Sequence, residues 1–238
     1  MSRWFFIFMG FAFLAVALAG FGPSYVFRLA QGEINFPLKV HLHAVLMFGW
    51  LGLFILQAGL IRRRNLKLHR TLGVVAVPWF VLIMLVSVFV SVQGLLAPVP
   101  PPLERLLDNI FFLQLCAFVL GPVLFVLALR TRKTAPQQHK RYMFFLTFFL
   151  IEAAASRMTW LPGMADDDTF LLAQYAYLDL LLVPLVVFDL RVLGRLNRAT
   201  VTGLVLLGSY QLIALIVWDS AWWLSTVNGI EAALGGVG

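Results

Sequence analysis

Long apolar runs without charged residues recur along the whole sequence, and this feature constrains the fold more than any other. A helix needs about 20 such residues to cross the hydrocarbon core of a bilayer. Lipid cannot hydrogen-bond open backbone groups, so spans of this kind are helical. The 238 residues are 61% hydrophobic and 12% charged, against about 45–50% and about 25% in soluble domains. This composition excludes a water-soluble globule, and we expect no separate soluble domain among these residues.

The apolar runs predict an all-α integral membrane bundle of seven transmembrane helices, with residues 1–238 as a single domain. Turn formers and charged residues mark the breaks between the runs. The predicted spans lie near residues 4–20, 38–61, 72–96, 109–130, 141–161, 170–190 and 200–224. The first span also resembles a signal peptide, because a basic start precedes an apolar stretch that ends in Ala17-Leu18-Ala19. We treat this stretch as a helix of the bundle.

Basic residues cluster in alternate loops, and such clusters mark the cytoplasmic side of a membrane protein. If the N-terminus is cytoplasmic, most of the 18 Lys and Arg residues face the cytoplasm, and most acidic residues face outward. The sequence therefore predicts a cytoplasmic N-terminus, an outside C-terminus and a place in the bacterial inner membrane. The basic clusters suit anionic lipid headgroups. The lipid bilayer is the expected partner, with other membrane subunits as further candidates and no nucleic acid.

The second span carries three residues, His43, Trp50 and Gln57, at a spacing of seven. Seven residues drift by only about 20° around a helix, so all three share one face. Polar groups inside a span are costly, so this face is expected to point into the bundle as a cofactor-binding surface. His41 lies about 200° from His43 and cannot serve the same ligand from a regular helix. The alternative is that this face only packs and hydrogen-bonds neighbouring helices.

Four ionisable residues lie inside the later spans or near their outer ends: Glu152, Arg157, Asp179 and Asp219. Each needs a partner, a cavity or a ligand. Glu152 and Arg157 are five residues apart, about 140° around the helix, so they are not expected to pair. We expect Arg157 and Asp219 to form a structural ion pair. Glu152 and Asp179 are expected to line a polar cavity or to relay protons.

A third set lies at the predicted inner face, where His69-Arg70 precedes the third span and His139-Lys140-Arg141 precedes the fifth. If the two helices are neighbours, the imidazoles of His69 and His139 face each other with arginines beside them. A b-type haem needs this arrangement, with axial nitrogen ligands for its iron and cations for its propionates. The alternative is that these loop residues bind lipid phosphates.

The fifth predicted span is rich in phenylalanine. Phe144, Phe145, Phe148 and Phe149 surround the helix, so some of these rings are expected to face lipid.

Several spaced motifs occur in one order: His41-Leu42-His43-Ala44, Trp50 through Gln57, His69-Arg70-Thr71-Leu72-Gly73, and His139 through Met143 followed by Arg157. This order resembles a bacterial family of small polytopic membrane proteins with an HxH(A/G)…W…Q helix, an HR-x-LG segment and an H-x-x-x-M helix that ends in Arg. The likeness covers about residues 15–160 and implies an architecture without a reaction. The candidate residues that the resemblance implies are His43, Trp50, Gln57, His69, Arg70, His139 and Arg157.

Three functions follow as hypotheses. The first is a redox protein that binds haem b or a quinone, with His69 and His139 as candidate iron ligands. The second is an accessory or assembly subunit of a larger membrane complex. The third is a small proton-coupled carrier that uses Glu152, Asp179 and Arg157, although the sequence shows no Gly- or Pro-broken helices in corresponding halves. Whether the protein is an enzyme stays open, since no GxSxG, HExxH or CxxC motif is present.

Overall fold

The computed structural model describes residues 4–32 and 36–235, and these residues form helices and turns with no strand among them. The helices, in chain order, are α1 (Phe5–Phe21), α2 (Phe27–Ala30), α3 (Leu38–Arg62), α4 (Leu66–Leu95), α5 (Pro101–Thr131), α6 (Pro136–Leu150), α7 (Glu152–Ala155), α8 (Phe170–Leu180), α9 (Val183–Leu193), α10 (Arg198–Val217) and α11 (Ala221–Ala233).

Six helical stretches of the described chain are long and apolar enough to cross a membrane. They are Phe5–Ala30, Leu38–Arg62, Leu66–Leu95, Leu103–Thr131, Phe170–Leu193 and Arg198–Val217. The all-helical, multi-pass architecture in a lipid bilayer is thereby confirmed. The predicted fifth span, 141–161, is not among the six, because α6 has only 15 residues and ends at Leu150.

Three predicted boundaries are wrong by about two turns. Helix α4 begins at Leu66, capped by the Asn65 side chain, so His69 and Arg70 lie within a helix rather than before one. Helix α5 begins at Pro101, where a missing N–H costs nothing. The last predicted span, 200–224, ends at Val217, and a turn at Asp219 with a φ of 58° leads into α11.

Helix α6 is the central helix of the bundle and packs against α1, α3, α5 and α10. Its side chains are buried on every face, with exposed fractions between 0% and 5% at Phe144, Phe145, Leu146, Thr147, Phe148 and Phe149. The expectation that some of these phenylalanines face lipid is wrong. A helix that is apolar all round belongs in the interior, where other helices rather than lipid surround it.

Side-chain contacts define two ends of the bundle. At one end, Arg62 stacks on Trp4, and Arg141 pairs with Asp189; we call this the basic end. At the other, the acidic end, Arg105 pairs with Asp219 and the ring of Phe170 contacts that of Trp218. Helix α6 starts at the basic end and α8 starts at the acidic end. The chain therefore passes from one end to the other through α6 and α7.

The helices are interrupted at two interior places. The backbone breaks at Ile151, between α6 and α7, and at 181–182, between α8 and α9. Pro184 has no N–H with which to continue the helix across the second break. Broken helices inside a membrane protein are tolerated where their free backbone groups lie within protein or line a cavity. Both breaks lie in the second half of the chain, and a carboxylate, Glu152 or Asp179, lies beside each break.

Candidate functional site

Glu152 is the first residue of α7, directly after the first helix break. The Tyr210 hydroxyl of α10 donates to Glu152 Oε1 at 2.8 Å, and Gln174 Nε2 of α8 donates to the same oxygen at 3.1 Å. Within the described chain no cation forms an ion pair with this carboxyl group. Neutral donors therefore hold one oxygen, and the other stays available for a proton.

The surroundings of Glu152 contain further polar atoms without partners. The Gln174 Oε1 atom is buried and makes no hydrogen bond, and the Tyr175 hydroxyl lies beside Glu152 and Tyr210 without a hydrogen bond of good geometry; the two residues are 1% and 4% exposed. Leaving a buried polar atom unpaired costs about 1–3 kcal/mol. Such atoms point to a further hydrogen-bonding species in this place, such as a water or a bound ligand. We call Glu152, Gln174, Tyr175 and Tyr210 the carboxylate cluster.

Asp179 lies one residue before the end of α8, beside the second helix break. Gln211 Nε2 of α10 donates to Asp179 Oδ1 at 2.9 Å. Gln211 follows Tyr210, which binds Glu152. Two consecutive residues of one continuous helix therefore hold the carboxylates of two interrupted helices.

A narrow apolar cavity lies on the other side of the first helix break, between α1, α3 and the α6–α7 segment. We call it the α3 cavity. Its walls are formed by Ala17, Phe21, Met47, Phe48, Trp50, Leu51, Leu150, Ile151 and Ala154. The Trp50 indole donates to Thr147 Oγ1 of α6 at 3.2 Å, which fixes the ring at the cavity wall. The predicted face of His43 and Trp50 therefore borders this cavity at Trp50.

His43 and His41 serve different neighbours, as their separation around the helix predicts. His43 Nδ1 lies 3.4 Å from the Ser87 hydroxyl of α4. His41 Nδ1 lies 2.7 Å from the Tyr25 hydroxyl, which follows α1. His43 is also close enough to Arg157 to interact electrostatically with it.

Arg157 lies two residues after α7, with its guanidinium 4.5 Å from the centre of the Phe21 ring. Its Nη1 donates to the carbonyl of Ala153 in its own helical turn. The expected ion pair of Arg157 with Asp219 is wrong. Asp219 Oδ1 accepts instead from Arg105 Nε at 2.7 Å and from Asn109 Nδ2 at 2.6 Å. The reason is geometric: Arg157 faces α1, whereas Asp219 packs on α5.

A histidine cluster lies towards the basic end, formed by Gln57, His69 and His139. His139 Nδ1 lies 2.8 Å from the Ala128 carbonyl, so Nδ1 carries the proton and Nε2 is the free nitrogen of the neutral ring. His69 is close enough to His139 for electrostatic interaction. His69 Nδ1 and Gln57 Oε1 are buried without partners. Arg70 points to the exterior of the bundle.

Sequence reasoning missed the buried ion pair of Arg141 and Asp189, both 0% exposed. Arg141 Nε lies 3.0 Å and 3.2 Å from the two carboxylate oxygens, and its Nη2 also donates to Oδ1. Asp189 Oδ2 further accepts from the Thr200 hydroxyl at 2.5 Å and the Asn197 amide at 3.0 Å. The available clue was an acid, Asp189, among the bases of the predicted inner face.

The same sequence reasoning also overlooked Gln174, Tyr175, Tyr210 and Gln211, which hold the two carboxylates or surround them. Within residues 4–32 and 36–235, no group of three or more His, Cys, Asp or Glu side chains is placed to hold a metal ion.

Comparison of the chain with protein-family models, with curated proteins and with solved structures finds no match. Membership in the bacterial family that the motifs resemble stays a prediction. The carboxylate cluster, the α3 cavity and the histidine cluster are the candidate functional features of the described residues.

Proposed function

We propose that the protein is a small proton-coupled carrier of the bacterial inner membrane, with Glu152 as its proton-binding group. One observation carries the proposal: Glu152, partly buried at a helix break, is held only by neutral donors among the described residues. Carboxylates in such places are typical of proton pathways in pumps and transporters.

The depth of the cluster follows from α10, which runs from Arg198 at the basic end to Val217. Tyr210 lies twelve residues along this helix, which at about 1.5 Å per residue is about 18 Å from its start. The hydrocarbon core is about 30 Å thick. By this measure Glu152, hydrogen-bonded to Tyr210, lies within the hydrocarbon core and closer to the acidic end than to the basic end.

The topology we propose has seven crossings, with the α6–α7 segment as the fifth and the N-terminus in the cytoplasm. The end-to-end course of α6 and α7 supports the odd number of crossings. The clustering of Arg62–Arg64 and Arg191–Arg198 at the basic end supports the orientation through the positive-inside rule.

In the proposed mechanism, water on one side delivers a proton to Glu152 Oε2, and the neutral carboxyl keeps its bonds from Tyr210 and Gln174. The two helix breaks give α6–α7 and α8–α9 points at which to bend, as discontinuous helices do in many carriers. Because α10 holds both Glu152 and Asp179, a movement at one break is transmitted to the other. The proton then leaves Glu152 towards the opposite side.

A pH jump on proteoliposomes adsorbed to a solid-supported membrane tests this proposal. Protonation of a group inside the membrane gives a transient current even without a substrate. We expect this current in the wild type and its loss in Glu152→Gln. Asp219→Asn is the matched control, because its carboxylate lies at the acidic end and pairs with Arg105. An unchanged current in Glu152→Gln would contradict the proposal.

The histidine cluster favours a second candidate, a redox protein that binds haem b or a quinone. The unpartnered His69 Nδ1 and Gln57 Oε1 atoms, together with the free Nε2 of His139, offer nitrogen ligands or hydrogen bonds to such a group. Spectra of the purified protein, oxidised and then dithionite-reduced, test the haem version. A Soret band that disappears in His69→Ala and His139→Ala supports it, and no band after growth with added haem contradicts it. Solvent extraction of the purified protein tests for a bound quinone.

The hypothesis of an accessory subunit in a larger complex stays a prediction. The outward apolar side chains of α4, such as Val74, Val81 and Leu85, are exposed and suit contact with either lipid or another subunit. Native electrophoresis of gently solubilised membranes tests this hypothesis, because a subunit would migrate with partner proteins.

A further inference from the structure

We propose that Arg157 and the α3 cavity form a binding site for a small amphipathic anion, with the anionic head on the guanidinium and a short apolar tail in the cavity. The inference rests on the proposed carrier function, for which it names the substrate class. Such an anion is either a free solute or a lipid headgroup with the first part of its chain.

The first reason is the unused capacity of Arg157. A guanidinium has five N–H donors in a planar fork that matches a carboxylate, sulfonate or phosphate. Among the residues that the structure describes, Arg157 donates one hydrogen bond, to Ala153, and has no acidic partner. Arg157 is exposed, so its remaining N–H groups are accessible to an anion from outside the bundle.

The second reason is that the positions proposed for the anionic head and the apolar tail of the ligand are adjacent. The Phe21 ring lies against the guanidinium and also forms a wall of the α3 cavity. From there the cavity walls are apolar, ending at the Trp50 indole, which is 2% exposed. The cavity volume is about 30 Å³, which suits a tail of one or two carbons, and a longer tail requires the flexible Met47 side chain to move.

The third reason is the arrangement of α3. His43, Met47 and Trp50 are spaced by four and three residues, so they lie along one face of the helix. His43 is near Arg157, whereas Met47 and Trp50 line the cavity. This face of α3 therefore changes from polar to apolar along the proposed ligand. This gradient explains why a histidine and a tryptophan share one face.

The site is adjacent to the carboxylate cluster through α7. Ile151 and Ala154 line the α3 cavity, while Glu152, between them in sequence, points to α8 and α10. A ligand in the cavity therefore contacts the same short segment that carries the proton-binding group. This placement puts the proposed anion site and the proton-binding group on different sides of the same short segment.

Equilibrium binding of alkyl sulfonates tests the inference. Sulfonates keep their charge at all working pH values, so they report on the anion site independently of protons. Purified protein in phosphatidylcholine nanodiscs is titrated with hexanesulfonate by calorimetry. We expect saturable binding that weakens at least tenfold in Arg157→Gln and is partly restored in Arg157→Lys. Arg105→Gln is the matched control, because Arg105 pairs with Asp219 away from the cavity.

The tail is tested with a series from methanesulfonate to hexanesulfonate. Burial of each methylene is expected to strengthen binding about fourfold, until the cavity is filled. Equal affinity along the series, or wild-type affinity in Arg157→Gln, would overturn the inference. Phosphatidylglycerol in the nanodiscs identifies the source: competition with hexanesulfonate assigns the site to a lipid headgroup, and no competition assigns it to a free solute.

The carrier proposal and the proposed anion site can be contradicted by different results. Glu152→Gln is expected to bind hexanesulfonate like the wild type while its pH-jump current is lost. A current without sulfonate binding would leave the carrier proposal standing and overturn the anion site.

Discussion

Two ionisable residues on the central α6–α7 segment, the buried Arg141 and the partly buried Glu152, have opposite kinds of surroundings. Arg141 forms an ion pair with Asp189, and the Asp189 carboxylate also accepts hydrogen bonds from Thr200 and Asn197. All the charged atoms of this network have partners, so we call it closed. Glu152 has no cation, and polar atoms beside it are unpartnered. A closed network fixes one structure, whereas an open one leaves room for a proton or a ligand. The Arg141 network is therefore expected to serve stability, and Glu152 is the residue that we propose for proton binding.

Breaking the closed network should have the largest effect on stability. Arg141→Ala leaves Asp189 buried without its cation, a change that typically costs about 3–5 kcal/mol. Unfolding of the purified protein in mixed micelles, followed by circular dichroism, measures the loss. The double variant Arg141→Met, Asp189→Leu removes both charges and should recover much of it. A loss below about 1 kcal/mol in Arg141→Ala would contradict the assigned structural role.

Gly20→Ala should have the next largest effect on stability, because it disturbs the packing of α1 against α7, the short helix that begins with Glu152. A Cβ atom at Gly20 would lie 2.0 Å from the Ala154 carbonyl oxygen, so α1 must move away from α7. Overpacking of this kind costs about 1–3 kcal/mol. Gly208→Ala is the control, since its Cβ position has nothing within 4 Å. Equal melting temperatures for the two variants would show that α1 and α7 do not touch.

Tyr210→Phe should have a smaller effect, since it removes one neutral donor from Glu152. Loss of a single hydrogen bond costs about 0.5–1.5 kcal/mol. The informative readout is the pH-jump current, whose pH dependence should shift because the carboxylate loses a donor. Tyr177→Phe, which removes a hydroxyl bonded to the Pro162 carbonyl, is the control. An identical pH profile in Tyr210→Phe would remove Tyr210 from the proton site.

Glu152→Gln should have the smallest effect on stability and the clearest effect on function. The amide keeps an oxygen for the donors of Tyr210 and Gln174, so the unfolding free energy should stay within about 1 kcal/mol of the wild type. The proton-binding group is lost, and with it the pH-jump current. A large loss of stability would show that Glu152, like Arg141, has a structural role, and would contradict the difference proposed between the two residues.

Sequence reasoning located the charged residues of the candidate sites better than their partners. A charge within an apolar run is conspicuous, so Glu152, Arg157 and Asp179 stand out by composition alone. Tyr210 and Gln211 carry no charge and are ordinary in a span, so nothing marks them until a carboxylate is found beside them. The partner of Arg157 was wrongly predicted because position along a helix gives depth in the membrane, whereas pairing depends on which helix is adjacent.

By itself, the sequence determined that the chain forms several apolar helices in a lipid bilayer, because runs of about 20 uncharged residues allow little else. The spacing of His43 and Trp50 also determined that they share a helix face. Only the tertiary structure decided that α6 is the central helix, that two helices break beside Glu152 and Asp179, and that Arg141 meets Asp189. Lipid and protein interiors are equally apolar, so hydropathy reports burial in either one, and helix packing alone distinguishes them.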